Sequence, residues 1–319
     1  MKIPALLVAA ALMGCAVAQT PVRDMKDLKI PFEHYTCKDR FGRTIDFYLS
    51  PSKSKAVLPL AVMIMGSGGQ SMWIPHGQQI YGSLQGLLAG ESRGRVRVLA
   101  VEKPGVPFCF QGCTPGTAEG ATKEFLQEHT LERYSEAVDA AIHAARKLPG
   151  IDPRRTLVIG HSEGGIVAAK VAAIDPKVTD VAVLAGGGPS QLFDFIQMFG
   201  RDQTLETWSE IRKDPTSTTK FAWGHPYRRW SSFFADSPVA EALKSRARFY
   251  IAQGTADKNS LPASADVLYC TLLGSGRDVK MEVVEKGDHG FETDEGGGPP
   301  AGFRKILDHV LDWFGQGKP

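Results

Sequence analysis

A chain of 319 residues is long enough for one large domain or two modest ones. Its 43% apolar and 23% charged residues are the proportions of an ordinary globular protein. A formal net charge of +2 leaves no electrostatic footprint for nucleic acid, so a nucleic-acid partner is not expected.

The chain opens with Lys2, an uncharged apolar run over residues 3–13, and Ala16-Val17-Ala18. That pattern predicts a secretory signal peptide over residues 1–18, cut before Gln19, and the run is too short to span a bilayer. A competing export reading uses Leu12-Met13-Gly14-Cys15 as a lipobox, which would leave Cys15 as a lipid anchor. Either way the protein is expected outside the cytoplasm, periplasmic or secreted. Four cysteines remain after cleavage: Cys37, Cys109, Cys113 and Cys270. Cys109 and Cys113 bracket three residues, and in an exported chain this spacing suggests a small disulfide that staples a loop. No nearby Cys or His completes a four-ligand metal set. The pairing of Cys37 and Cys270 stays open.

Residues 34–50 read as two strands joined at Arg40-Phe41-Gly42-Arg43. The apolar runs 57–65 and 96–101 suit strands buried on both faces. Residues 130–148 form a helix that Thr130 can cap and Pro149-Gly150 ends. A strand over 156–159, a small-residue helix over 166–173 and a strand over 181–184 follow. Residues 190–245 carry no strand signal but are dense in aromatics, which suggests an inserted cap of about 55 residues in a single domain. The alternation resumes with strands at 249–252 and Val279–Val284 and helices at 263–273 and 303–314. Such alternation implies an α/β fold, a mostly parallel sheet covered by helices on both faces.

Gly160-His161-Ser162-Glu163-Gly164-Gly165 sits between a buried strand and a helix. Gly-x-Ser-x-Gly in that context is a nucleophile elbow: glycines at 160 and 164 let backbone pass a sharp turn that thrusts the serine hydroxyl outward. A serine hydroxyl is a poor nucleophile at neutral pH and needs a positioned base. His289, in Gly287-Asp288-His289-Gly290 after the last strand, is the candidate. The base in turn needs a carboxylate, for which Asp257 is placed after the strand at 249–252, with Asp194 in reserve. Gly66-Ser67-Gly68-Gly69 follows the strand at 57–65 and can offer backbone N–H groups. The expected oxyanion donors are the N–H of Glu163 with that of Ser67 or Gly68. The expected place of His161 is beneath the elbow. His34, His129, His143 and His309 read as surface or packing residues, and His76 and His225 as weak substrate contacts.

Together these four motifs resemble the serine-esterase and dienelactone-hydrolase-like branches of the α/β-hydrolase superfamily, and the catalytic domain of prolyl oligopeptidases. The resemblance spans roughly residues 34–315. It implies a Ser162-Asp257-His289 triad on an eight-stranded, mostly parallel sheet flanked by helices, and no cofactor; the aromatic segment 190–245 is then a cap inserted after the sixth strand. The sequence departs from the family at Met65, where many relatives carry His, and at the Cys109–Cys113 loop. Trp223, Tyr227 and Arg228 are the candidate substrate contacts from the cap. Arg228 or its neighbour Arg229 would meet a substrate carboxylate. The acidic residues Asp288, Glu292, Asp294 and Glu295 read as a solvated loop, with no metal expected. The leading expectation is a carboxylic-ester hydrolase acting on a small-molecule ester or acyl substrate. A peptidase, amidase or thioesterase with the same triad, and a non-catalytic protein of the same fold, are the alternatives.

Overall fold

The computed structural model describes residues 23, 25–29, 31–52, 56–293 and 298–317. The expected signal peptide and Cys15 lie outside the described residues, as do Asp294 and Glu295. Eight strands make one sheet: β1 (Glu33–Lys38), β2 (Thr44–Leu49), β3 (Leu58–Ile64), β4 (Arg97–Val101), β5 (Ile151–His161), β6 (Asp180–Leu184), β7 (Arg248–Gly254) and β8 (Val279–Val284). Their order across the sheet is β1-β2-β4-β3-β5-β6-β7-β8. The β1–β2 and β2–β4 pairings are antiparallel and the other five are parallel.

Strand periodicity explains the layers, because successive side chains point to opposite faces. Leu60, Val62 and Ile64 of β3 enter one core with Leu99, Val101 and Val158. Ala61 and Met63 enter the other with Val98, Ala100, Leu157 and Ile159. Both faces of β3 and β4 are therefore covered, as a near-continuous apolar run requires. Helices α1 (Leu84–Ser92) and α10 (Ala301–Gln316) pack on one face. Helices α3 (Leu131–Ala145), α4 (Glu163–Ile174), α8 (Pro238–Lys244) and α9 (Pro262–Gly274) cover the other. Thr130 caps α3 by accepting from Arg133 N, where its sequence placed the helix start.

The expected strands all form, with β5 longer at its N-terminal end than the 156–159 segment. Helix α2 (Lys123–Glu128), α1 and the hairpin Trp73–His76/Gln79–Gly82 carry too few residues for periodicity to declare them. Between β6 and β7 the chain builds α5 (Gln191–Phe199), α6 (Arg201–Lys213), α7 (Tyr227–Phe234) and α8. It also holds a two-residue ribbon, Phe221–Ala222 with His225–Pro226, where no strand signal was visible. Much of the aromatic density makes this insertion's own core. Ile211, Trp230 and Phe234 are buried there with Phe195, Trp208, Trp223 and Tyr227 against them.

The expected disulfide is absent. All four described cysteines are free thiols. The three-residue gap does not settle where the side chains point: Cys109 packs on the Tyr48–Trp73 core, whereas Cys113 Sγ lies against Gly69.

Candidate active site

The elbow at the C-terminal end of β5 is as tight as its glycines imply. A methyl group on Gly160 would stand 1.9 Å from Gly164 O, and one on Gly164 would stand 2.4 Å from Ile64 O. Ser162 itself takes φ +57° and ψ −124°, a conformation that L-residues avoid unless their surroundings enforce it. Helix α4 starts at the next residue. Its first N–H groups have no partner inside the helix, so the Glu163 N–H is available beside the serine.

Ser162 opens into a cavity of about 680 Å³, within the range of small-molecule sites. Its walls include Gly66, Ser67, Glu163, His161 and His289, with Gln191, Asp194, Phe195, Met198, Trp223, His225 and Arg229 from the insertion. His289, carried by the loop after β8, places Nδ1 2.9 Å from Asp257 Oδ2. Asp257 lies after β7 and is only 4% exposed. Its Oδ1 accepts from Asn259 N and Ser260 N at 2.8 and 3.0 Å. Burial raises the carboxyl's affinity for a proton, but the His289 contact and those two N–H groups outweigh it and hold the pKa below its ordinary value. Asp257 thus stays ionised, and the histidine's Nδ1–H donates to it, which leaves Nε2 free to take a proton.

Asp194, the reserve carboxylate, lines the cavity but accepts from Ser264 Oγ, not from a histidine. Burial pushes its pKa up to about 7. His161 lies beside His289, ring centroids 4.7 Å apart, and its Nε2–H donates to His289 O at 2.9 Å. It therefore braces the His289 loop. Burial and the neighbouring histidine depress its pKa to about 4, so at neutral pH it is an uncharged donor.

The insertion's contacts differ from those expected. Trp223 faces the cavity, but Tyr227 packs into the insertion's own core and Arg228 turns outward, its Nε donating to Gln127 O. Arg229 points inward instead. Consecutive helical residues are about 100° apart around the axis, so one arginine of the pair must leave the face that the other occupies. Arg229 is 1% exposed, stacked on Trp230 and Phe233, and its Nη2 lies 2.7 Å from Glu163 Oε2. The other Glu163 oxygen meets His129 Nε2 at 2.8 Å. Burial opposes the Glu163 charge, but His129 and Arg229 hold its pKa well below normal. His129 is kept neutral, chiefly by burial, and donates from Nε2. The residue after the elbow serine is thus tied by its side chain to helix α7 of the insertion. His225 also lines the cavity, while His76 lies on an exposed hairpin.

Other expected features fall outside the cavity. Asp288 accepts from Gly290 N and Glu292 N within its own loop. Among the described residues, Asp139, His143 and Asp175 have ligand-type atoms within 4.8 Å of one another. None of the three lines the Ser162 cavity, and Asp175 is already ion-paired with Arg146 at 2.5 Å. No helix among the described residues is long and apolar enough to cross a membrane.

A family model described as "Alpha/beta hydrolase family" matches residues 65–296. The chain belongs to the α/β-hydrolase family. This hydrolase is also 30% identical over 145 residues to a protein of Emericella nidulans described as a siderophore enterobactin esterase. That match covers 44% of this chain and 44% of the relative, so the hydrolase aligns with less than half of the relative's length. In fold it is similar to the acylaminoacyl peptidase of Pyrococcus horikoshii, with TM-score 0.64, 15% identity, and 91% of this chain and 42% of that one covered. It is similar likewise to Est1E of Butyrivibrio proteoclasticus, with TM-score 0.55, 14% identity and coverage of 88% and 96%.

Proposed function

We propose that this hydrolase cleaves carboxylic esters through an acyl-enzyme on Ser162. The observation that carries the proposal is the Asp257–His289 pair at 2.9 Å, on a loop whose histidine shares a cavity with the strained elbow serine. In the first half-reaction His289 Nε2 takes the Ser162 proton as Oγ bonds to the substrate carbonyl carbon. The carbonyl oxygen gains the electron pair and is held by backbone N–H groups of Glu163 and the Gly66–Gly69 loop. Collapse expels the alcohol, which leaves with the proton from His289. Water then repeats the sequence, and the carboxylic acid departs from a restored serine. The similarity to an enterobactin esterase supports ester over amide bonds as the substrate class.

Ester turnover by wild type and by Ser162→Ala tests the reading, with p-nitrophenyl esters set beside aminoacyl p-nitroanilides and acyl thioesters. Loss of at least about 10³-fold in kcat by a folded alanine variant, with a fluorophosphonate labelling Ser162 in wild type only, is expected. Full activity in Ser162→Ala sinks the mechanism, and higher amide than ester turnover reverses the substrate class. Export belongs to the same proposal and rests on the residue pattern of the first 18 positions. Mass spectrometry of the mature N-terminus reads Gln19 for a free form, a lipidated Cys15 for an anchored one, and Met1 if there is no export.

A further inference from the structure

Two charged residues follow strand β4 directly: Glu102 and Lys103 are each 4% exposed. Both adjoin a second, smaller cavity of about 140 Å³, which shares Met65, Gly66, Ser67 and Ser83 with the Ser162 cavity. Lys103 lines the small cavity and not the large one, whereas Gly66 and Ser67 line both and so stand between them. The Lys103 ammonium donates to two carbonyls of that loop, Gly66 O and, at 2.7 Å, Gly68 O.

A trans peptide is planar, with its C=O and the following N–H pointing in opposite directions. Drawing the Gly66 carbonyl back onto Lys103 therefore turns the Ser67 N–H away from the ammonium, at a residue that lines the Ser162 cavity. The same rule applied to the Gly68 carbonyl turns the Gly69 N–H away from Lys103, where it meets Thr117 O at 3.0 Å. Gly68, at φ +101° with a methyl position 3.1 Å from Gly116 N, gives the loop the bend that brings both carbonyls to one ammonium. Tyr134 adds a weaker hold, its hydroxyl 3.4 Å from Met65 O and its ring 5.9 Å from the Lys103 ammonium.

We infer that Lys103 is the positioning residue of the oxyanion hole: it orients the Ser67 N–H from outside the substrate cavity and never touches substrate. The assignment rests on the serine-hydrolase reading above, and it also selects Ser67 over Gly68 as the loop donor. A misaimed oxyanion donor costs about 10²–10³-fold in kcat in enzymes of this kind, because the bond is made only as the oxygen acquires charge.

The test compares wild type, Lys103→Met and Lys103→Arg for kcat and KM on the best p-nitrophenyl ester, Ki for n-butylboronic acid, and final fluorophosphonate labelling stoichiometry. The boronic acid accepts the Ser162 Oγ electron pair to form a tetrahedral anionic adduct, so it reports the hole directly. In Lys103→Met, kcat is expected to fall about 10²-fold and Ki to rise by a similar factor, with KM within about threefold and labelling still complete. Lys103→Arg keeps donors but not the compact ammonium, and both quantities are expected to shift together by about tenfold. A merely structural role would lower the labelled fraction and leave Ki unchanged in the fraction that remains. Wild-type kcat and Ki in a folded variant, or a lower kcat without a higher Ki, overturns the assignment, and the arginine variant decides it should methionine prevent folding. Failure of the serine-hydrolase reading shows separately, as wild type that neither labels at Ser162 nor binds the boronic acid.

Discussion

Replacing Asp257 by Asn is the sharpest probe of the His289 pair, because the structure dictates how the amide must sit. Asp257 Oδ1 accepts from two backbone N–H groups, those of Asn259 and Ser260. An amide turned to face them with its NH₂ would leave two buried donors unpaired, at about 1–3 kcal/mol each. The asparagine oxygen therefore stays on that side, and its NH₂ takes the place of Oδ2 opposite His289 Nδ1. Facing a donor, Nδ1 becomes the acceptor and the ring proton moves to Nε2, the nitrogen that should receive the Ser162 proton. The base is lost although the side chains hardly move. Wrong-tautomer substitutions of this sort lower kcat by about 10⁴, or about 5.5 kcal/mol of transition-state stabilisation. Gln253 Nε2, 3.2 Å from Oδ2, would also face the new NH₂, but it keeps Gly254 O and Ser260 O as acceptors, so the fold should survive. The assay is kcat and KM for a p-nitrophenyl ester at neutral pH, with thermal unfolding as the folding control. A folded Asp257→Asn variant that loses less than about tenfold in kcat/KM would refute the tautomer argument and the role given to Asp257.

Two further outcomes are expected. Arg229→Met removes the guanidinium from a fully buried Glu163 and should destabilise the protein by about 3–5 kcal/mol in chemical denaturation. Adding Glu163→Gln should restore part of that loss, and strictly additive losses would mean the pair is not coupled. Glu102 supplies a pH dependence: burial lifts its pKa to about 8 from an ordinary 4.5, against the opposing pull of Ser71, the Met72 N–H and Lys103, with Asp46 adding to the rise. A carboxyl raised in the folded state stabilises fully below its unfolded pKa and ceases to as pH climbs through the folded one. Stability should therefore fall between about pH 4.5 and 8, by up to roughly 5 kcal/mol from this group. Glu102→Gln should flatten that slope in denaturation at pH 5 and 8.5, and an unchanged slope would discharge Glu102.

The sheet was legible in the sequence because its central strands are buried on both faces and so read as unbroken apolar runs. The elbow was legible for a related reason. Close backbone approach leaves only glycine at Gly160 and Gly164, and that need is written in residue identity. Ser162, Asp257 and His289 could be singled out because each follows a strand in a short, glycine-marked loop, and parallel strands bring such loops to one edge. What the residues around them do was decided in three dimensions. Glu102 and Lys103 look like a charged step off the end of a strand, the commonest surface pattern, yet the next layer of chain closes over both. Arg228 and Arg229 are indistinguishable until helix α7 has a phase and a neighbour, and only its packing on Glu163 selects the second. His129 carries no local sign that a buried carboxylate lies 34 residues ahead. The Cys109–Cys113 spacing specifies how far apart two residues are along the chain, whereas a disulfide depends on which way two Cβ bonds point. Local backbone demands and one-dimensional burial are properties of sequence; the partner of a buried charge and the direction of a side chain are properties of what packs against it.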